Sequence, residues 1–316
     1  MNEFDSLIVT TAKDYDRVCR NYPRLVRCLP GRDIIFIGSG EVEERLKRDA
    51  LGERVRFLNE NDVIPFDEID SLMRELTGAD EVPRGMSGWY YQQFLKMSYS
   101  YLCDDGYYMT WDGDTIPCKG FSMFVKEGPE DSYAEQEAPL FDLKQEYCEY
   151  YFTTLEKLFP GMRKCIPKSF ISEHMLFKKE YMIEMIEGIE VNGTLEGEKY
   201  YEKILRVIGR DRLKYPSFSE FETYGTYTCL RHMGSYRMRN WHSFRYCGNF
   251  FDPDTINEED YEWLGRDFDA VSFEKRAERT PESMEIFSKK EYREKLSARQ
   301  ILEIVQEESE GYKEEW

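Results

Sequence analysis

Four short runs of apolar and β-branched residues constrain the fold of the first 111 residues most strongly. The runs are Leu7–Thr11, Asp33–Gly38, Val55–Leu58 and Tyr107–Trp111. Runs of this length with few polar residues are typical of strands that are buried on both faces of a sheet. Segments with helical spacing separate them, and the regular alternation of strands with helices is typical of α/β proteins. The sequence therefore predicts an α/β fold.

The pattern is looser beyond residue 120, where the segments 141–159 and 220–231 have the spacing of helices. From residue 251 onward, charged residues dominate and apolar residues recur at helical intervals. We therefore predict a main domain over residues 1–250 and a helical, acidic C-terminal extension over residues 251–316.

The composition limits the partners of the chain. It contains 62 acidic and 43 basic residues, which give a net charge of −19. Such a chain is repelled by nucleic acid and by anionic membranes, so an anionic ligand needs a local basic patch or a metal ion. The N-terminus lacks the features of a signal peptide, and we find no apolar run long enough to span a membrane. We therefore expect a cytoplasmic protein with no nucleic-acid partner and no transmembrane segment; the oligomeric state is left open.

The sharpest local motif is Asp112-Gly113-Asp114, which follows the last of the four predicted strands. Residues i and i+2 of an extended chain point to the same face, so both carboxylates are able to approach one cation. Ligands of open α/β sheets bind beyond the carboxyl ends of strands, and Mg²⁺ or Mn²⁺ prefers oxygen ligands. The motif predicts a metal site. A solvated acidic turn stays open as the alternative, because acids are abundant in this chain.

A second candidate is the predicted helix that contains Gln92 and Lys96. These two residues are four positions apart and share a helix face, from which they are able to reach a phosphate or a ribose. A lysine that extends to solvent is the alternative.

Several segments in a fixed order resemble an uncharacterised family of glycosyltransferase-like proteins. That family is similar to the nucleotide-sugar glycosyltransferases with the GT-A fold. The segments span about residues 5–235; they are Leu7–Thr11, Ile64–Glu68, Gly88–Lys96, Tyr107–Thr115, His174–Phe177 and Ser219–Gly225. The family often has two histidines before Met-Leu-Phe, whereas Glu173 precedes His174 here.

The resemblance implies a GT-A-like mixed sheet with flanking helices and a metal-dependent glycosyltransferase. The donor would be a nucleotide-sugar, with a UDP-sugar favoured, and the acceptor a saccharide or another hydroxyl compound. Such an enzyme would serve polysaccharide or glycoconjugate synthesis. A metal-dependent nucleotide-sugar or phosphoester hydrolase, or a non-catalytic acidic interaction protein, remains as an alternative.

The resemblance also implies roles for particular residues. Asp112 and Asp114 would hold Mn²⁺ or Mg²⁺, with His242 as a third ligand. Glu220 would be the general base, with Glu222 as the substitute, and a base on that face favours inversion of the sugar centre. His174 would lie on the acceptor side. The donor would be bound by Thr10, Thr11, Lys13, Gln92, Lys96, Trp111 and Gly113.

Overall fold

The protein is an α/β structure, and the described residues form three sheets. The computed structural model describes residues 3–78, 82–83, 85–127, 136–145, 147–274, 287 and 289–308. The strands are β1 (Phe4–Val9), β2 (Ile34–Gly38), β3 (Val55–Asn59), β4 (Tyr107–Trp111), β5 (Thr115–Pro117), β6 (Phe124–Glu127), β7 (Gln136–Leu143), β8 (His174–Lys178), β9 (Arg237–Asn240), β10 (Ser243–Phe244) and β11 (Ala270–Ser272).

Helices connect these strands. They are α1 (Ala12–Val18), α2 (Tyr22–Cys28), α3 (Gly40–Asp49), α4 (Glu60–Val63), α5 (Phe66–Thr77), α6 (Met86–Ser98), α7 (Glu149–Leu158), α8 (Lys179–Glu190), α9 (Tyr200–Ile208), α10 (Glu220–Arg231) and α11 (Glu258–Leu264), followed by Lys290–Arg293 and Ala298–Glu308. Within the described ranges, no helix is long and apolar enough to cross a lipid bilayer.

The main sheet has five strands in the order β3-β2-β1-β4-β8. The first four strands are parallel to their neighbours, and β8 runs antiparallel to β4. Parallel strands need a long crossover connection between them, and the helices between β1, β2, β3 and β4 supply it. The predicted α/β fold, a mixed sheet with flanking helices, is confirmed.

Apolar side chains on the two faces of the sheet form two cores. Leu7 and Ile8 are neighbours on β1, and both are fully buried. Leu7 packs in a core with α6, α8 and α10, whereas Ile8 packs in a core with α1, α2 and the C-terminal residues. Side chains alternate between the faces of a strand, so one short apolar run supplies both cores.

The residues beyond 250 share a sheet and a core with the preceding part of the chain. Strand β11 pairs with β5 on one side and with β10 on the other. Trp263 and Ile301 are buried in the same core as Trp111. In its described part, the charge-rich segment thus contains a strand and buried apolar residues as well as helices, which its charge content concealed; the boundary at residue 250 stays a prediction.

The helix predicted over residues 141–159 is corrected. Strand β7 extends to Leu143, and α7 starts only at Glu149. Strand β7 pairs with β6 and with β9, and β9 is distant from β7 in the sequence. These non-local hydrogen bonds override the local helical spacing.

Candidate active site

A cleft opens at the carboxyl ends of β1, β3 and β4. Its volume is about 950 Å³, near the upper end of the range of roughly 300–1,000 Å³ for small-molecule sites. Three aromatic side chains, Phe66, Trp89 and Tyr91, form part of its wall. Six acids and three arginines also line it; they are Asp14, Glu60, Asp70, Asp112, Asp114 and Glu274, with Arg17, Arg74 and Arg245. The lining therefore carries an excess of negative charge.

The motif Asp112-Gly113-Asp114 forms the turn between β4 and β5, and all three residues line the cleft. A Cβ atom at Gly113 would lie 3.2 Å from Cγ2 of Ile8 on β1. That contact is tight, so glycine lets the turn lie against the end of the central strand. The sheet thus places both acids of the motif beside Thr10.

Lys96 holds the carboxylate of Asp112 from the side that faces away from the cleft. The ammonium Nζ of Lys96 donates to Asp112 Oδ1 at 2.9 Å, and the lysine side chain is 3% exposed. The backbone of Asp112 is fixed as well, because its amide donates to the carbonyl oxygen of Glu173 at 2.8 Å. Burial would lower the pKa of Lys96, but the charges of Asp112 and Glu220 outweigh it and raise that pKa. Lys96 is therefore a permanent cation behind the cleft.

The carboxylate of Asp114 is paired with Arg17 of α1. Arg17 Nη2 donates to Asp114 Oδ2 at 3.2 Å, while Arg17 Nη1 donates to the carbonyl oxygen of Phe273 at 2.9 Å. The amide of Phe273 in turn donates to the carbonyl oxygen of Asp114. Burial and the negative charge of Asp112 raise the pKa of Asp114.

Glu274 is an acid of the cleft that the sequence analysis missed. Its carboxylate accepts two contacts from Nε of Arg245, at 3.1 and 3.2 Å. Burial, together with the charges of Asp114 and Asp112, raises the pKa of Glu274 to about 7 against the effect of Arg245. Glu274 follows β11 in the segment expected to be an extension, so only the pairing of β11 with β5 could have revealed it.

The predicted donor-binding residues divide into two groups. Thr10, Thr11, Gln92 and Gly113 line the cleft. Thr11 also caps α1, since its Oγ1 accepts from the amide of Asp14. Lys13 is exposed outside the set of cleft residues. Trp111 is fully buried, with its indole nitrogen donating to the carbonyl oxygen of Thr115 at 2.7 Å.

Glu220 and Glu222 both start α10, and neither lines the cleft. The carboxylate of Glu220 lies 3.0 Å from Lys96 Nζ and is 5% exposed. Burial raises the pKa of Glu220, and the charge of Lys96 opposes that shift. Glu222 points elsewhere: its Oε1 accepts from Oγ of Ser169 at 2.5 Å.

The two histidines singled out by sequence also lie outside the cleft lining. His174 is 1% exposed, and its Nε2 lies 2.8 Å from Asp142 Oδ2. His242 lies between β9 and β10, where its amide donates to Asp269 Oδ2 at 3.1 Å. The structure therefore brings together Asp112 and Asp114 but not either histidine.

A divalent cation fits the two aspartates of the motif. In the described part of the chain, Asp112 Oδ2 and Asp114 Oδ1 have no hydrogen-bond or ion-pair partner. No group of three or more His, Cys, Asp or Glu residues suited to a metal occurs among the residues that were placed. Mg²⁺ in nucleotide sites is commonly held by one or two carboxylates, with phosphates and water completing its shell. The donor set matches that arrangement.

Comparisons with known proteins find backbone similarity only. No family model and no curated protein matches the sequence. Mouse xyloside xylosyltransferase 1 in its apo form is 11% identical, with a TM-score of 0.43 over 85% of this chain and 97% of that one. The galactosyltransferase LgtC, with donor and acceptor sugar analogues, is 10% identical, with a TM-score of 0.40 over 93% of this chain and 100% of that one. The bifunctional glycosyltransferase WbbM is 12% identical, with a TM-score of 0.43 over 88% of this chain and 46% of that one. At these identities and scores, the likeness does not identify the activity of the chain.

Proposed function

We propose that this protein is a metal-dependent glycosyltransferase that moves a sugar from a nucleotide-sugar, with a UDP-sugar favoured, to a hydroxyl acceptor such as a saccharide. Synthesis of a polysaccharide or glycoconjugate is the role that fits this reaction. The observation that carries the proposal is the position of Asp112 and Asp114 at the carboxyl edge of the main sheet, inside the cleft.

The charge of the cleft supports a metal ion as cofactor. Six acids face three arginines there, so a nucleoside diphosphate would be repelled without further positive charge. Asp112 and Asp114 each offer one unpartnered oxygen among the described contacts, and these oxygens would hold Mn²⁺ or Mg²⁺. The cation would neutralise negative charge on the departing nucleotide.

The residues of the chain have separable tasks. Thr10, Thr11 and Gln92 line the cleft and would bind polar groups of the donor, and Trp89 of the same cleft would offer an aromatic face. The diphosphate would meet the three arginines of the cleft, which are Arg17, Arg74 and Arg245. Inversion of the sugar centre depends on a base at Glu220, which does not line the cleft, so nothing in the geometry favours inversion over retention.

Titration calorimetry with UDP tests the proposal. We expect UDP to bind the wild-type protein in the presence of Mn²⁺ and to lose most of its affinity with EDTA. Asp114→Asn should weaken the Mn²⁺-dependent binding at least about tenfold, because even residues behind metal ligands change metal affinity by roughly 10–100-fold. Asp254→Asn is a matched control, since Asp254 pairs with Arg20 on the surface.

Equal UDP affinity with Mn²⁺ and with EDTA would contradict the proposal. Transfer is then assayed with UDP-sugars and saccharide acceptors, and the products are compared with and without acceptor. Release of free sugar at the same rate in both cases would identify a hydrolase instead.

A further inference from the structure

Lys96 lies between two carboxylates, and only one of them faces the cleft. Its Nζ is 2.9 Å from Asp112 Oδ1 and 3.0 Å from Glu220 Oε1. Phe221 closes the remaining side, with its ring centroid 4.8 Å from Nζ. Asp112 lines the cleft, whereas Lys96 and Glu220 do not.

The position of Glu220 is set by two helices. Ser219 caps α10, so that Glu220 stands at the first helical position. The amide of Glu220 donates to Oε1 of Gln93 at 3.1 Å. Gln93 and Lys96 are three residues apart on α6 and share a face of that helix, so α6 holds both the backbone and the carboxylate of Glu220.

This position does not suit a general base. A base has to lie within hydrogen-bond reach of the proton that it removes. The Glu220 carboxylate is 5% exposed and is bound to Lys96 on the inner side of Asp112. An acceptor hydroxyl in the cleft would have to pass Asp112 and Lys96 to reach it.

The electrostatic consequence of the arrangement concerns Asp112. A lysine paired with Asp112 alone would cancel the charge of that carboxylate and repel a divalent cation beside it. A second carboxylate on the same ammonium compensates for the lysine charge, so the three groups together carry a net charge of −1. Asp112 then remains attractive to a cation while Lys96 fixes its orientation.

We propose that Glu220 is a positioning residue which, by neutralising and orienting Lys96, allows Asp112 to bind the divalent cation of the donor complex. This inference rests on the proposed function, since it presupposes a cation at Asp112. It assigns Glu220 to the inner side of the metal site and not to proton transfer.

The test measures Mn²⁺ affinity in the presence of saturating UDP, by electron paramagnetic resonance of free Mn²⁺. Glu220→Gln keeps the shape of the side chain and removes its charge. We expect this variant to bind Mn²⁺ roughly 10–100-fold more weakly, the range found for residues behind metal ligands. Excess Mn²⁺ should restore the rate of sugar transfer to within a few-fold of the wild-type rate.

The matched control is Glu222→Gln. Glu222 lies two residues further along α10 and is as deeply buried, but its carboxylate binds Ser169 and lies 3.7 Å from Nζ of Lys164, away from Lys96. Loss of its charge should leave the Mn²⁺ affinity within about two-fold of the wild-type value, although it lowers the melting temperature.

The double variant Lys96→Gln/Glu220→Gln separates charge balance from folding. It removes the charges of the buried ion pair and nearly keeps the length of both side chains. Our inference predicts that Mn²⁺ affinity recovers toward the wild-type value, since the cation that opposes Mn²⁺ is gone. A purely structural role predicts that the double variant binds more weakly than Glu220→Gln. If Glu220→Gln does not fold, the Mn²⁺ affinity of the double variant is compared directly with that of the wild-type protein.

The failure of this inference differs from the failure of the proposed function. Wild-type protein that binds no Mn²⁺ with UDP would overturn both. Wild-type protein that binds Mn²⁺, together with Glu220→Gln of unchanged affinity, would overturn the inference and leave the function standing. If that variant also loses transfer at every Mn²⁺ concentration, Glu220 is the base after all.

Discussion

At the residue scale, three acids of the cleft are each paired with a cation from another segment of the chain. Asp112 is paired with Lys96 of α6, Asp114 with Arg17 of α1, and Glu274 with Arg245 after β10. The cations of Asp112 and Asp114 hold these carboxylates in place through one oxygen each and leave the other oxygen for a ligand. An acidic cleft is thereby kept ordered before any ligand arrives, which limits the reorganisation that binding requires.

The raised pKa of Glu274, about 7, makes a prediction for pH dependence. The folded protein prefers the protonated carboxyl, while the unfolded chain ionises near pH 4.5, so the unfavourable contribution grows as pH rises through this window. Glu274→Gln should therefore gain stability relative to wild type at pH 8 and not at pH 5. Melting temperatures of both proteins at both pH values measure this.

A constant difference in melting temperature between the two proteins at pH 5 and pH 8 would contradict the shifted pKa. Glu127→Gln is a suitable control, because Glu127 is a glutamate paired with an arginine, Arg237, outside the cleft.

At the element scale, the contact between α10 and the residues before β8 decides how closely the helix approaches the sheet. A Cβ atom at Gly225 would lie 2.4 Å from Cγ of Phe170, a fully buried ring. The glycine thus permits a close approach that no other residue allows. Glu220 and Glu222 both lie on α10, and this close approach keeps Glu222 in contact with Ser169 and Glu220 in contact with Lys96.

Gly225→Ala should therefore destabilise the protein by about 1–3 kcal/mol, the usual cost of overpacking a core. Chemical denaturation of the variant measures the loss. Gly188→Ala in α8 is the control, since its Cβ would meet only Phe159 at 3.7 Å. That substitution should stabilise the helix by up to about 1 kcal/mol. Equal effects of the two substitutions would contradict the close contact.

The sequence predicted elements best where a local pattern agrees with long-range pairing. The strand at Tyr107–Trp111 has the predicted limits, and the predicted strand at Leu7–Thr11 lies at Phe4–Val9. The helix at Glu220–Arg231 also agrees. The β7 region was misassigned, because its partner β9 is about a hundred residues away. The motif His174–Phe177 could be recognised from the sequence, but its position as the antiparallel edge strand could not. That position depends on pairing with the distant strand β4.

At the scale of the whole molecule, the site is assembled from both ends of the chain. Arg17 on α1 binds the carbonyl oxygen of Phe273, and Arg24 on α2 pairs with Glu258 on α11. The acidic pair of the motif could be predicted from its spacing, but Arg17 and Glu274 could not be assigned to the cleft. Arg17 contacts Phe273, 256 positions further along the chain, and Glu274 follows a strand that pairs with the distant β5, so no local pattern encodes their roles.

A fragment of residues 1–250 should therefore fail to fold alone. It lacks strand β11 and buried side chains such as Trp263 and Leu264, each worth roughly 1.5–3 kcal/mol when buried. The loss of about five such side chains is comparable with the total stability of a domain, about 5–15 kcal/mol. Circular dichroism and thermal unfolding of the fragment test this.

Addition of the segment 251–316 in trans provides the control, because it should restore a cooperative transition if the two parts share a core. A fragment that melts cooperatively at the wild-type temperature on its own would contradict the shared core and support a boundary at residue 250.

The link between Arg17 and Phe273 has a consequence for synthesis in the cell. The ribosome synthesises α1 and the acidic turn well before Phe273, which follows Arg17 by 256 residues. The cleft of the nascent chain is therefore incomplete until Phe273 and the strand before it have been synthesised. Rare codons or stalling between β9 and β11 would prolong the interval in which the apolar surface around Trp111 is open to chaperones.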